Sequence, residues 1–276
     1  MRQVFANLLA APFVAGALFF LYLAWTNDSD YAVWIIPFVV VTAIIYIFTP
    51  QINWWWYVRR PPALSAGLQT MLEQFCGFYR RLNPAGRQRF RERVALFIMG
   101  TDWEPVAWPD EILPPDVQLA LAAQAVSLQF YQPQFLFDKF EKVIVYPYPF
   151  PTPEYQFAHA SELFEPDGCL LFSAEQVLKG YLQPSQWYNV GLHEYAKAYV
   201  LTYPEQPYPE LTDEEVWTKL EQAANMPRQH IETVIGLAGV DALPVAIHHY
   251  FVFPERFRDI LPDAAAAFDG IFGPKK

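Results

Sequence analysis

The sequence predicts an α+β fold that is mostly helical with a small sheet and is preceded by two transmembrane helices. Three observations support this fold class. Two long apolar stretches without charged residues open the chain. Most of the remainder consists of segments in which apolar residues recur every three or four positions, as on one face of a helix. Only two short runs have the β-branched and aromatic composition typical of strands.

The two apolar stretches run from Gln3 to Asn27 and from Tyr31 to Val58. Each exceeds the roughly 20 helical residues that cross a hydrocarbon core. We therefore expect helices at about 5–25 and 31–56, joined by a short acidic turn. A signal peptide is disfavoured because no small-residue cleavage motif precedes "TNDSD" and the second stretch follows at once. A buried core hairpin of a soluble protein is the alternative interpretation.

Positive charge predicts how the two spans are oriented. Arg2 precedes the first span, Arg59 and Arg60 close the second, and "NWWWYVRR" places an aromatic belt beside them. Six more arginines follow soon after, at Arg80, Arg81, Arg87, Arg89, Arg91 and Arg93. Because Lys and Arg accumulate on the cytoplasmic side, we expect two spans in the bacterial cytoplasmic membrane, with both termini in the cytoplasm and the lipid bilayer as a partner.

The prolines after the second span indicate a domain boundary. Tandem prolines in "RRPPALSAG" end a helix and small residues follow, which is typical of a linker. The predicted division is a transmembrane hairpin at 1–58, a linker and connecting amphipathic helix at 59–82, and a globular domain at 83–276.

The globular part contains a series of predicted helices and two predicted strands. Helices are expected at 83–100, 116–130, 173–182, 189–200, 212–224, 227–238, 241–251 and 263–272, and strands at 142–150 and 168–173. The proline-rich stretch between the two strands is predicted to be an irregular surface loop. His159 in that loop and His230 are predicted to be surface residues.

Charge and cysteine content narrow the possible functions. A formal net charge of −10 argues against a nucleic-acid partner, since such binding depends on Lys and Arg at phosphates. The only cysteines, Cys76 and Cys169, lack metal-ligand or redox spacing and are predicted to be buried free thiols.

The helix "NVGLHEYAKAYV" carries the main chemical signal. Two histidines four residues apart, with a glutamate after the first, form the HExxH motif that binds zinc and activates water. Here His193 and Glu194 are present, but Lys197 stands at the second histidine position. A lysine ammonium has no lone pair for a metal. In one interpretation, the Lys197 ammonium takes the place of the zinc ion and pairs with Glu194 and with a carboxylate from a later helix. In the other, Glu194 and Lys197 are an ordinary helical ion pair and His193 is a hydrogen-bonded core histidine.

Several segments occur in an order that resembles a peptidase family. These are "RFRERVALFI", "QLALAAQAVSLQF", "VIVYPYPF", "GCLLFSAEQVLKGYL", "WYNVGLHEYAKAYV" and "YFVFPERFRDILP". Together they resemble the Mlc titration factor A (MtfA) family of zinc-dependent peptidases, over about residues 88–272. The resemblance implies a zincin-like globular domain and zinc as the family cofactor.

By position, the resemblance assigns roles to individual residues. His193 matches the first zinc ligand and Glu194 the general base, while Lys197 replaces the second ligand. Asp241 falls near the third ligand, where the family has glutamate, and His248 is a candidate rescue ligand two helical turns away. Two of the three ligand positions therefore depart from the family pattern.

Peptidases of this type often bind substrate along an edge strand beside the metal helix. Residues 168–172 are predicted to be that strand, with a peptide or protein partner in the groove beside it.

Three hypotheses for the function follow. The chain is a catalytically impaired pseudoenzyme that acts as a binding or regulatory module, an active zinc metallopeptidase using His193, Asp241 and His248 with Glu194 as base, or a scaffold in which HExxK is only structural.

Overall fold

The computed structural model describes residues 4–212 and 214–274. The chain divides into two compact units, the first ending at Pro62 and the second beginning at Ala63. Arg2, which contributed to the predicted orientation, lies outside the described residues.

The first unit contains the two apolar stretches as helices. Helix α1 spans Val4–Thr26, a 3-10 helix spans Ser29–Trp34, α2 spans Ile35–Ile47 and α3 spans Thr49–Arg59. By length and composition, Phe5–Thr26 and Ser29–Ile47 are each apolar enough to cross a membrane. Their side chains are almost entirely exposed, as lipid-facing side chains are. This exposure argues against the alternative of a buried core hairpin.

The prediction of one continuous helix over 31–56 is wrong. The chain starts with a 3-10 segment and bends at Phe48, whose φ of −92° and ψ of 12° lie outside the α-helical range. Pro50 is the cause, because proline has no N–H for the carbonyl four residues earlier and instead favours the first turn of a new helix.

Close contacts hold the hairpin together. A Cβ on Gly16 would lie 2.5 Å from the Phe38 ring, so the glycine allows α1 and α2 to approach. The amide of Asn53 reaches across from α3, where its Oδ1 accepts a hydrogen bond of 3.0 Å from the Ala6 N–H. This bond satisfies one of the donors that the first turn of α1 leaves free.

The second unit is mostly helical with one small sheet. Its helices are α4 Ala66–Phe75, α5 Gly77–Arg81, α6 Pro84–Gly100, α7 Pro115–Gln129, α8 Ala174–Leu182, α9 Val190–Thr202, α10 Glu214–Ala224, α11 Arg228–Ile235, α12 Ala242–Val252, α13 Pro254–Ile260 and α14 Pro262–Phe272. Its strands are β1 Asp102–Pro105, β2 Lys142–Tyr146, β3 Ser161–Phe164 and β4 Cys169–Ser173. The predicted α+β fold class is confirmed.

The sheet is mixed and has the strand order β1-β2-β4-β3. Strand β4 pairs in parallel with β2 and antiparallel with β3, and all five of its residues are buried. The prediction that residues 168–172 form an edge strand is therefore wrong. The edge next to β4 is β3, which lies in the stretch predicted to be an irregular loop.

The core is built around α7. Every residue of this helix from Leu119 to Gln129 is buried, and its alanines allow α6 and α9 to pack closely. Arg93 of α6 is also buried, and its Nη1 donates to the carbonyls of Gln129, Phe130 and Gln132 at 2.9–3.0 Å. These bonds satisfy carbonyls that the end of α7 leaves free.

The segment after the linker packs into the same core. It is divided at Cys76, whose extended backbone separates α4 from α5, and Leu72 and Tyr79 on either side are buried. Cys76 and Cys169 are both free and buried, which confirms the prediction for the thiols.

Candidate functional site

Helix α9 carries the HExxK segment through the interior of the second unit. Asn189 caps its N-terminus, with Oδ1 accepting a hydrogen bond of 3.2 Å from the Leu192 N–H. All residues from Val190 to Ala196 are buried. The polar side chains of this helix therefore need partners inside the protein.

Glu194 has a partner for each carboxylate oxygen. Oε1 accepts a hydrogen bond of 2.9 Å from the Ser161 hydroxyl on β3, and Oε2 lies 2.8 Å from the Lys197 Nζ. The glutamate side chain is fully buried, whereas 31% of the lysine side chain is exposed. The ion pair thus links a glutamate in the protein interior to a partly exposed lysine one helical turn away.

The electrostatics keep both members of this pair charged. Burial alone would raise the pKa of Glu194, but Lys197, with smaller contributions from His193 and the Ser161 hydroxyl, lowers the pKa of the carboxyl overall. Burial would likewise lower the pKa of Lys197, but Glu194 raises it, with smaller contributions from Tyr155 and Asp241. At neutral pH the site therefore holds a carboxylate and an ammonium.

His193 is a buried, neutral imidazole. Its Nδ1 lies 2.8 Å from the Tyr188 hydroxyl, and burial lowers its pKa to about 4. Burial also raises the pKa of Tyr188, so the phenol keeps its proton. The tyrosine fixes the orientation of the imidazole ring, as second-shell partners of metal-binding histidines do.

His248 is fully buried on α12, with both ring nitrogens engaged. Its Nε2 accepts a hydrogen bond of 3.2 Å from the Asn189 N–H, and its Nδ1 lies 2.9 Å from the Nδ1 of His249. Burial holds the pKa of His248 well below its usual range, so the ring is neutral and carries its one proton on Nδ1. His248 therefore has no free lone pair for a metal while it binds Asn189.

Asp241 lies at the start of α12 and makes no capping hydrogen bond with its side chain. It is exposed and lines a cleft of about 520 Å³ together with Lys197. Apolar residues form most of the remaining wall: Val200, Leu201, Pro209, Leu211, Ala242, Leu243 and Pro244.

Three of the predicted site residues share α9, and the other two lie near them from the α12 region. Asp241 faces the same cleft as Lys197 and contributes, after Glu194, to the raised pKa of that lysine. His248 stacks on Tyr188, which contacts His193. His248 is fully buried with both ring nitrogens engaged, whereas Asp241 is exposed at the cleft.

A comparison with protein families matches residues 53–199 to Peptidase_M90, the glucose-regulated metallo-peptidase M90 family. The match covers just over half of the 276 residues and includes the HExxK segment. The chain belongs to this family. No curated protein and no solved structure matches the chain. The match to the M90 family confirms the predicted resemblance to MtfA-like peptidases.

M90 membership implies a metallopeptidase, typically zinc-dependent, but the side chains here do not fit a zinc ion. Among the described residues, no three His, Cys, Asp or Glu side chains are grouped so that they could hold a metal. Lys197 supplies a cation where the family has an imidazole. The remaining first ligand, His193, lacks the two further protein ligands that a catalytic zinc usually has.

Sequence reasoning missed three side chains around the site. Ser161 and Tyr188 contact Glu194 and His193 from outside α9, and no local pattern marks either of them. The prediction of His159 as a surface residue is wrong, because it is buried with Nε2 3.0 Å from Glu162 Oε2. The segment "HASELF" does not alternate between apolar and polar residues, so no local signal marked a strand at this position.

Proposed function

We propose that this M90-family chain is a membrane-anchored pseudoenzyme that binds a peptide or protein segment beside α9 and does not hydrolyse it. One observation carries the proposal, namely the Lys197 Nζ at 2.8 Å from Glu194 Oε2. The ammonium takes the place of a divalent cation as the positive charge that a buried glutamate requires.

The hydrogen bonds of Glu194 support loss of catalysis. A general base needs an accessible carboxylate oxygen within reach of the water it activates. Both oxygens of Glu194 are engaged, by Ser161 and by Lys197, and its side chain is fully buried. With a lowered pKa, this carboxylate is also a weaker base than a free glutamate.

The cleft and the sheet edge support binding. Strand β3 pairs with β4 on one side and ends the sheet on the other, and its last two residues, Leu163 and Phe164, are partly exposed, which suits an added peptide strand. Ser161 places this edge directly beside Glu194. The mostly apolar cleft around Lys197 would take side chains of the bound segment.

The hairpin supports a membrane location. Its two spans expose apolar side chains, and Arg59 and Arg60 lie over the rings of Trp55 and Trp56 at the end of α3, at 4.1 and 4.3 Å from the ring centroids. Aromatic residues followed by arginines are typical of the cytoplasmic interface. In the proposal, the second unit therefore acts in the cytoplasm at the membrane surface.

The decisive experiment compares zinc content and peptide hydrolysis of the wild-type chain with Lys197→His. We expect no stoichiometric zinc and no hydrolysis in the wild type. Lys197→His supplies the second imidazole of HExxH and should raise zinc affinity measurably. Lys179→His is the matched control, because Lys179 also pairs with a glutamate on its own helix but lies outside α9.

Three outcomes would overturn the proposal. One tightly held zinc per wild-type chain would show that the ammonium does not replace the metal. Zinc-dependent hydrolysis by the wild type that Glu194→Gln abolishes would instead support the active peptidase with a rearranged ligand set. If Lys197→His gains no zinc affinity over Lys179→His, the HExxK segment is only structural.

A further inference from the structure

A second cavity lies near the start of α9 and shares no lining residue with the Lys197 cleft. It has a volume of about 110 Å³ and lies among α5, α7, α8, α9 and α12, next to the break at Cys76. Its apolar wall includes Phe75, Phe78, Leu192 and Phe251. An apolar cavity of about 150 Å³ holds benzene, which has six heavy atoms, so this smaller space suits a molecule of about four or five heavy atoms.

The wall also contains two buried polar side chains without partners. Gln124 and Tyr181 are each 4% exposed, and both line the cavity. Among the described residues, neither the Gln124 amide atoms nor the Tyr181 hydroxyl has a hydrogen-bond partner. Buried polar groups are nearly always paired, so two such groups in one cavity wall indicate a missing polar partner.

The unpaired Tyr181 hydroxyl and Gln124 amide favour a hydrogen-bond acceptor as the missing partner. Burial raises the pKa of Tyr181 well above its usual value, so its hydroxyl keeps a proton to donate. The Gln124 amide offers an N–H donor as well, while its Oε1, which is also unpaired, lies against Gly191 of α9. Arg80, which also lines the cavity, is exposed and forms no ion pair with any described residue. Two hydrogen-bond donors and a guanidinium at one apolar cavity suit a carboxylate on a short hydrocarbon chain.

The geometry points to a binding site for a short-chain carboxylate in this cavity, with the hydrocarbon among the phenylalanines and the carboxylate at Gln124, Tyr181 and Arg80. None of the candidate zinc ligands lines the cavity, so the site is independent of the proposed loss of catalysis. Asn189, which caps α9 and binds His248, lies in the wall. A bound carboxylate would therefore contact the start of the helix that carries His193.

The test measures binding of propanoate, which has five heavy atoms, to the full-length chain in detergent, by isothermal titration calorimetry and by the shift in the unfolding midpoint. We expect saturable binding and a concentration-dependent rise of the midpoint. The alcohol propan-1-ol should bind at least tenfold more weakly, because it lacks the charge. Gln124→Leu and Tyr181→Phe should each weaken the carboxylate at least tenfold.

Tyr195→Phe is the matched control, since the Tyr195 hydroxyl is also buried without a described partner but lies outside the cavity. It should leave the affinity unchanged. No binding of propanoate at millimolar concentrations would overturn the inference, because the cavity then holds only water. Equal binding of acid and alcohol, or affinity retained in both Gln124→Leu and Tyr181→Phe, would overturn it as well.

Discussion

Lys197 and Glu194 form an ion pair of 2.8 Å one turn apart on α9, at the positions of the second ligand and the general base of an HExxH helix. The pair leaves this buried glutamate charged without any metal. A single residue type at position 197 therefore accounts for two properties of the helix. It removes a zinc ligand, and it compensates the charge that the zinc ion would otherwise balance.

Removing the ammonium should destabilise the fold. Lys197→Met leaves Glu194 as a buried charge without a counter-charge, and we expect a loss of about 2 kcal/mol in the free energy of unfolding, measured by denaturant titration. This figure is below that for a fully buried pair because part of the lysine is exposed. The double variant Lys197→Met/Glu194→Gln should lose less than the single one, since no charge then remains buried. A double variant less stable than Lys197→Met would contradict the charge-compensation argument.

The hydrogen bond from the Ser161 hydroxyl to the charged Glu194 should stabilise the fold more than a hydrogen bond to a neutral acceptor does. Ser161→Ala removes the donor to the charged Glu194 Oε1, and such bonds contribute about 1.5–3 kcal/mol. Ser127→Ala is the matched control, because the buried Ser127 hydroxyl donates to the neutral Ala123 carbonyl. It should cost about 1 kcal/mol. Equal losses in the two variants would show that the charge on Glu194 does not strengthen its bond to Ser161.

The buried guanidinium of Arg93 should be a major structural contact. Burial lowers its pKa to about 10, so it remains charged at pH 7 while it binds three carbonyls at the end of α7. Arg93→Met leaves those carbonyls without this donor and should cost about 2–4 kcal/mol in thermal or urea unfolding. Arg89→Met, on the same helix but exposed, should change stability by about 0.5 kcal/mol or less. Similar effects of the two substitutions would show that the capping bonds contribute little.

The Arg258–Asp269 pair should make stability depend on acid pH. Hydrogen bonds from Arg258 at 2.7 and 3.0 Å, with a further one from Tyr250, lower the pKa of Asp269. The stabilisation is therefore complete above the unfolded pKa of about 3.9 and is lost as the pH falls through the lower folded value. Because both side chains are about half exposed, the effect is about 1 kcal/mol or less.

Asp269→Asn tests this pH dependence. The stability difference between the wild type and this variant, measured by urea unfolding, should be present at pH 7 and should shrink between pH 4 and pH 2. A difference that is constant over the whole range would mean that the aspartate acts through packing or neutral hydrogen bonds.

Most helices were predictable because their apolar residues repeat with the helical period, but the seven-residue α13, Pro254–Ile260, was not predicted. Strands β1 and β3 were not, since each has only four residues, and β3 lies in a proline-rich stretch. The breaks at Phe48 and Cys76 depend on one proline and on one extended residue, respectively, within otherwise apolar patterns. Strand order depends on tertiary pairing, which explains why β4 was wrongly placed at an edge.

The candidate site was predictable only where its residues share one helix. His193, Glu194 and Lys197 are visible as a motif because their spacing is local. Ser161 is 33 residues from Glu194, so the sequence alone does not show that its hydroxyl donates a hydrogen bond to this carboxylate. The engagement of both His248 nitrogens likewise depends on contacts with neighbouring elements, which a sequence pattern does not reveal.

The orientation of the hairpin can be tested with a membrane-impermeant maleimide. The native thiols Cys76 and Cys169 are both 6% exposed and should give little background. Asn27→Cys, in the turn between the spans, should be labelled in intact bacterial cells. Gly270→Cys, at an exposed position where an added Cβ meets no atom within 4 Å, should be labelled only after the cells are permeabilised. This labelling pattern follows from the proposal, in which positive charge at Arg59 and Arg60 keeps the second unit in the cytoplasm. The opposite labelling pattern would place the second unit outside the cytoplasm and would contradict the proposed location of the cleft.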